Sequence, residues 1–299
     1  MRVIFMGTPE FAVPSLAALY DFAEIVCVVT QPDKPRGRGN KVLPSPVKVF
    51  ATEKNLPVLQ PVKVKAPEVV AELKKFRADL IVVVAFGQIL SQEILDLPKF
   101  GCINVHASLL PKYRGAAPIE WSIINGEKIT GITTMKMNAG LDTGDILLQR
   151  ETEIGGDMIL PELLAELQKI GAELLIETVK NLSAIEPVAQ DDSQSNYAPM
   201  LKKDTGKIDW TKPAREIHNL VRGLYGGAFG FIGGEKFKIW RTKIAEREIP
   251  AGRIETAGGK FYVGTGGGAL EILEIQAPNA KKISAADYLR GHSVAGNFD

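Results

Sequence analysis

The densest chemistry in the chain lies in Cys102-Ile-Asn104-Val-His106-Ala-Ser108-Leu-Leu-Pro111-Lys-Tyr-Arg114-Gly115. Side chains two apart on a strand share a face, so Asn104 and His106 point the same way at the carboxyl end of a short apolar run. Polar residues side by side at such a place are a poor choice for a core. A carboxamide offers a neutral N–H donor to a developing oxyanion, and imidazole is the side chain best suited to move protons near neutral pH. Downstream, Gly140-Leu-Asp142-Thr-Gly-Asp145 carries a carboxylate on a glycine-hinged turn that could orient the imidazole. No nucleophile accompanies them, because Ser108 lacks a Gly-x-Ser-x-Gly turn. These residue types support direct acyl transfer without a covalent enzyme intermediate, with Asn104, His106 and Asp142 as its machinery.

Two other motifs are set aside on local grounds. Gly264-Thr-Gly266-Gly-Gly-Ala269 has dinucleotide-fingerprint spacing, but a strand rhythm follows it where the fingerprint requires a helix, so a hairpin loop is expected. Asp142-Thr-Gly144 and Asp204-Thr-Gly206 could suggest an aspartic-protease dyad. The second copy sits among three lysines in a polar stretch, where its carboxylate would be solvated.

The elements that must carry the polar rim alternate in type. Strands are expected at Arg2–Met6, Glu24–Thr30, Pro57–Gln60, Asp79–Phe86 and Cys102–His106, with helices near Phe11–Phe22, Pro46–Lys54 and Pro67–Phe76. Ser45-Pro46 supplies an N-cap followed by proline at the first helical position. Leu80–Phe86 is apolar on both faces, as in a strand covered by helices on each side. The alternation implies an α/β fold with a parallel, doubly wound sheet, whose ligands bind beyond the carboxyl ends of the strands. Extended runs at Ile132–Met137 and Asp145–Glu153 and a helix over Leu160–Leu182 follow. A polar stretch, Glu186–Thr205, reads as a linker. Beyond it, one helix and several short strands separated by glycine suggest a small β-barrel.

A length of 299 residues suits two domains, and 45% apolar with 24% charged residues excludes disorder for most of the chain. The longest apolar run, Leu80–Phe86, is far short of the ~20 residues a membrane-spanning helix needs. The opening run is too short for a signal-peptide core, so a cytoplasmic protein without a membrane partner is expected. Cys27 and Cys102 fall in apolar runs and read as buried small hydrophobes. Three scattered histidines offer no metal-ligand spacing, and no metal is expected. The net charge of +1 is unevenly spread. Residues 206–299 hold 14 basic against 10 acidic side chains, and Asp33–Lys48 holds five against one. A polyanion gripped by one loop and by the tail domain would be served by that pattern.

Asn104-Val-His106 through Arg114-Gly115, followed by Gly140–Asp145, resembles the 10-formyltetrahydrofolate-dependent formyltransferases. Within that family, Phe5-Met-Gly-Thr-Pro-Glu-Phe11, Thr30-Gln-Pro-Asp-Lys-Pro-Arg-Gly-Arg-Gly39 and Pro44-Ser-Pro-Val-Lys48 are similar to the branch that formylates methionyl-tRNA. The similarity continues through Gly206-Lys-Ile-Asp-Trp210 and covers essentially the whole chain. It departs at Tyr225-Gly-Gly-Ala-Phe229, where the family often has a Pro-Trp pair before Gly-Ala-Phe.

The resemblance implies a Rossmann-like catalytic domain over residues 1–185, a linker over 186–205 and a C-terminal OB-type, tRNA-binding barrel over 206–299. It implies that Ser108, Leu109, Leu110 and Pro111 line a folate site, bordered by Phe86, Gly87, Gln88, Ile89 and Leu90. The basic loop, with Arg36, Arg38 and Lys41 and too broken by proline and glycine for regular structure, would contact the tRNA acceptor stem. The implied co-substrate is 10-formyltetrahydrofolate and the implied partner is charged initiator tRNA, with the protein a monomer. The alternative within the family is formylation of a sugar-nucleotide amine.

Overall fold

A computed structural model describes residues 1–36, 41–294 and 296–299. The chain divides into two compact units. Residues Met1–Gly115, Gly131–Thr152 and Leu164–Tyr197 form the first, and Ala116–Thr130, Glu153–Leu163 and Ala198–Asp299 the second.

The first unit opens with β1 (Arg2–Gly7), α1 (Val13–Phe22), β2 (Glu24–Val29) and two short strands, β3 (Lys34–Arg36) and β4 (Lys41–Leu43). Next come α2 (Pro46–Glu53), β5 (Val58–Leu59), α3 (Pro67–Lys75), β6 (Leu80–Val84), α4 (Gln92–Leu95) and β7 (Cys102–His106). Ser45 caps α2, its hydroxyl accepting the Lys48 N–H at 3.0 Å. After β8 (Arg114–Gly115) the chain enters the second unit for α5 (Pro118–Ile124), and then come β9 (Ile129–Lys136), β10 (Ile146–Glu153), α6 (Leu160–Asn181) and β11 (Tyr197–Ala198).

Seven strands form one sheet in the order β10-β9-β7-β6-β1-β2-β5. β5, β2, β1, β6 and β7 are mutually parallel, whereas β9 runs antiparallel to β7. The expected parallel sheet thus carries an antiparallel margin, because the chain turns back through α5 before entering β9. All five side chains of β6 are buried, each large one contributing roughly 1.5–3 kcal/mol relative to exposure. One face of the sheet packs Ile4, Met6, Cys27, Ile81, Val83 and Cys102 against Val70 and Leu73 of α3 and Ile94 of α4. Burial pushes both thiols up to about 12, which leaves them inert small hydrophobes. Asn104 and His106 continue the Cys102 face past the end of this apolar cluster.

The second unit contains α7 (Ala214–Gly223), β12 (Phe229–Ile232), β13 (Glu235–Ala245), β14 (Ile254–Ala257), β15 (Lys260–Gly264), β16 (Ala269–Gln276) and α8 (Ala285–Gly291). Its strands form an antiparallel sheet ordered β12-β13-β16-β15-β14, with Trp210, Ile217, Ile239, Phe261, Ile272 and Phe298 among its core. The glycine run 264–269 joins β15 to β16, the hairpin expected from the strand rhythm after it. Tyr225 stacks edge-on to Trp240 at 5.2 Å, and Gly226 has φ +82° with no room for a Cβ, which would lie 2.5 Å from the Trp240 ring. Among the described residues, no helix is long and apolar enough to cross a membrane.

Candidate active site

Strand order reverses between β1 and β6: the chain moves outward through β2 and β5, then restarts on the other side of β1. A doubly wound sheet binds ligands in the crevice at that reversal. Thr8, just past β1, donates its hydroxyl to the Phe86 carbonyl at 3.1 Å, and the Gln31 amide reaches the same carbonyl at 3.3 Å. Beyond β6, Phe86 and Leu90 turn into the apolar cluster that also holds Cys102. The Gln88 carboxamide accepts from Val64 N–H at 2.8 Å and donates to Pro61 O at 3.1 Å, so it secures a neighbouring turn. Gly87 and Ile89 remain exposed, Ile89 at 76%.

Asn104 and His106 are buried at 9% and 6% exposure at the end of β7. The Asn104 carboxamide has no hydrogen-bond partner among the described residues, although Asn104 is about nine-tenths buried. Its polar atoms keep access to solvent, which leaves the donors free for a ligand. The imidazole of His106 is held differently from the expectation that Asp142 fixes it. Its Nε2 lies 2.9 Å from the Tyr113 carbonyl, which can only accept, so Nε2 carries the hydrogen. Neutral imidazole therefore presents an unprotonated Nδ1, 3.7 Å from Asp142 Oδ2. That separation exceeds a hydrogen bond but places a carboxylate beside any proton that arrives on Nδ1.

Asp142 has a left-handed backbone, φ +53°, and its Oδ2 accepts the Gly115 N–H at 2.8 Å. The turn is tight at Gly144, where a Cβ would meet the Lys136 carbonyl oxygen at 1.8 Å. Gln190 holds the turn open from outside: its amide donates to the carbonyls of Asp142 at 2.9 Å and Gly144 at 2.7 Å. The Gln190 carbonyl oxygen accepts from Arg114 Nε at 3.0 Å and Nη2 at 2.7 Å. Asn196 accepts the Tyr113 N–H through its side chain and the Arg114 N–H through its carbonyl. The polar stretch read as a linker thus reaches both the carbonyl that holds His106 and the turn that carries Asp142. Composition gave no sign of this, since a polar side chain serves water or a backbone group equally well.

The loop after His106 is clamped from below. Ser108 is fully buried and its hydroxyl donates to Lys112 O at 2.6 Å. Thr133 donates to Ser108 O at 2.6 Å and accepts the Leu110 N–H at 3.0 Å, while Gln149 donates to Leu110 O at 2.8 Å. Leu110 is buried, and Leu109 and Pro111 are half-buried. Thr133 and Gln149 escaped the sequence reading because they act from two other strands.

The basic loop contains regular structure where none was expected. β3 and β4 pair antiparallel with Arg36 opposite Lys41 and Pro35 opposite Val42. Proline is tolerated because neither strand joins the main sheet and its missing N–H falls on a two-stranded edge. Arg38 lies outside the described residues.

A carboxamide with free donors, an imidazole and a carboxylate gather at the carboxyl rim of a doubly wound sheet, residue types suited to acyl transfer. Residues 1–179 match the formyl transferase family, and residues 200–293 match the formyl transferase C-terminal domain. The chain belongs to the formyl transferase family. Its relatives include the methionyl-tRNA formyltransferase of Acetivibrio thermocellus, 49% identical over 98% of this chain and 97% of that one. The methionyl-tRNA formyltransferase of Geotalea uraniireducens is 51% identical over 99% and 96%. Among solved structures, WlaRD, a sugar 3N-formyl transferase seen with dTDP and 5-N-formyl-THF, superposes with a TM-score of 0.68. It is 22% identical and covers 94% of this chain and 99% of its own, a likeness of fold.

Proposed function

We propose that the protein transfers the formyl group of 10-formyltetrahydrofolate to the amino group of methionine esterified to initiator tRNA. The carrying observation is the unbonded carboxamide of Asn104, on the same strand face as His106 and with Asp142 3.7 Å from that imidazole. The folate supplies an electrophilic formyl carbon whose oxygen becomes negative as the amine attacks. Asn104 supplies N–H donors for that oxygen, and one such donor is typically worth about 10²–10³ in rate. His106, with Nε2–H pinned to Tyr113 O, takes the proton from the attacking amine on Nδ1, Asp142 stabilises the imidazolium formed, and the proton passes to folate N10 as the formyl C–N10 bond breaks and tetrahydrofolate leaves. Ser108, Leu109, Leu110 and Pro111 border the folate, with Gly87 and Ile89 as the accessible part of the Phe86–Leu90 segment. Full-length identity near 50% to methionyl-tRNA formyltransferases supports tRNA as the acceptor carrier.

Residues 1–185 form the catalytic part in this reading, 186–205 the connection, and 206–299 the tRNA-gripping part. We infer that the last is an OB-type barrel. Its support is the C-terminal tail, where Phe298 N–H donates to Gly252 O at 2.8 Å and Asp299 N–H to Phe231 O at 2.9 Å. Those bonds use backbone groups at both margins of the sheet, as closure requires. Arg36, Arg38 and Lys41 meet phosphates of the acceptor stem.

The test is direct: incubate the protein with 10-formyltetrahydrofolate and either charged initiator tRNA or a UDP-amino sugar. Formyl-methionine recovered from the tRNA alone is the expected result. Formylated sugar in its place transfers the reading to the sugar-nucleotide alternative, and formate without acceptor makes the protein a hydrolase.

A further inference from the structure

The second unit carries a cavity of about 230 Å³, partly open to solvent, whose wall includes Asp157, His218, Arg222, Trp240, Arg241 and Lys243. Its charge is not balanced. Arg222 is only 5% exposed, yet among the described residues no carboxylate comes within ion-pair distance of it. Its Nε donates to Asn219 Oδ1 at 3.0 Å, and Nη1 donates to the carbonyls of Gly155 and Met158, each at 3.2 Å. Nη2 is left without a partner among the described residues. Three neutral acceptors orient the guanidinium without cancelling its charge, and a buried cation without a counter-ion is expensive.

The neighbours deepen the imbalance. Lys243 has no ion-pair partner among the described residues, and Arg241 has only Glu162, at 2.9 Å in an exposed pair of small value. Asp157, exposed and 3.2 Å from His218 Nε2, is near enough to favour the Arg222 charge but lies beyond ion-pair distance of it, so one carboxylate faces three cations. Burial disfavours the charged form of His218. Gly156 O, 3.1 Å from Nε2, can only accept, so Nε2 carries a hydrogen, and Nδ1 meets the Thr242 hydroxyl at 2.9 Å. Trp240 completes the wall with an apolar ring. A cavity that offers a free guanidinium edge and two further cations has the composition of an oxyanion site.

We propose that this cavity binds a phosphate group, with Arg222 Nη2, Arg241 and Lys243 as its donors. The formyl-transfer chemistry uses none of these residues, and the RNA arm of the proposal deepens the assignment of residues 206–299 to tRNA by naming the site. The phosphate has two possible sources, inorganic phosphate or a phosphodiester of an RNA backbone, and only the second rests on tRNA as substrate carrier.

The experiment has two arms, each run on wild type, Arg222→Gln and the double variant Arg241→Ala/Lys243→Ala. The double variant alters only side chains with solvent access and keeps the test decisive if Arg222→Gln fails to fold. In the first arm, inorganic phosphate is titrated against thermal stability, with chloride at matched ionic strength as control. In the second, uncharged initiator tRNA binding is measured over a range of salt concentrations. A saturable phosphate effect in wild type that weakens at least tenfold in the variants assigns the site to free phosphate. Weaker tRNA binding in the variants, with a salt slope shallower by about 0.9 per lost contact, assigns it to the RNA backbone. If wild type shows neither a phosphate-specific effect nor variant-sensitive tRNA binding, the proposal is wrong. It is equally wrong if phosphate stabilises the variants as well as it does wild type.

Discussion

Gln190 places its amide on two carbonyls of one turn, those of Asp142 at 2.9 Å and Gly144 at 2.7 Å, while its oxygen is held by Arg114. The contact fixes the height and tilt of a turn whose carboxylate faces His106 from 3.7 Å. Gln190→Glu keeps the acceptor for Arg114 but sets an oxygen against both carbonyls. It should lower kcat about tenfold, equivalent to roughly 1.4 kcal/mol of barrier, with little change in KM for either substrate. Because Gln190 acts through Asp142, the loss should nearly vanish when Asp142 is already alanine. Equal losses in both backgrounds would show that Gln190 merely stabilises the fold.

Asn104→Ala should separate activity from stability. Turnover should fall at least tenfold and toward the ~10²–10³ of a lost oxyanion donor. The carboxamide makes no hydrogen bond among the described residues, so its removal orphans no partner, and the melting temperature should hold or rise. Near-normal turnover in the folded variant removes Asn104 from the proposed machinery.

In the basic hairpin the backbone of Arg36 pairs with that of Lys41. Arg38, between Gly37 and Gly39, is predicted to bind acceptor-stem phosphates or bases, so Arg38→Ala should raise KM for charged tRNA without changing folate affinity. Steady-state kinetics at several salt concentrations should give a shallower salt dependence in the variant. Unchanged tRNA kinetics would make the loop an ordinary solvated surface.

His218 makes stability depend on pH. Burial, the dominant cause, holds its imidazole below the ordinary range, while in the unfolded chain it titrates near its usual value of about 6.5. Between those values the unfolded state binds a proton that the folded state refuses, so stability rises with pH. The contribution is complete above about pH 6.5 and is lost as pH falls through the folded value. In phosphate-free buffer, the melting temperature of wild type should fall more steeply from pH 7.5 to 5.5 than that of His218→Gln. Parallel curves would mean that His218 is not the titrating group.

Local pattern in the sequence determined the elements and the identity of the rim. Apolar runs such as Leu80–Phe86 must be covered on both faces, and period-two alternation places Asn104 beside His106 whatever the rest of the chain does. The Ser45-Pro46 cap and the glycine hairpin at 264–269 were legible for the same reason, because each depends on residues within a few positions. The folding of the chain decided how the site is held. Tyr113, Gly115, Thr133, Gln149, Gln190 and Asn196 come to it from separate segments, through backbone groups or single amides that leave no periodicity in the sequence. The antiparallel turn of β9 was equally hidden, since a strand's direction follows from the path of its connection and not from its own residues. The charge balance around Arg222 is the sharpest case. Its neighbours come from the 155–158 turn, α7 and β13, and whether a buried cation has a counter-ion is a property of distances across the fold.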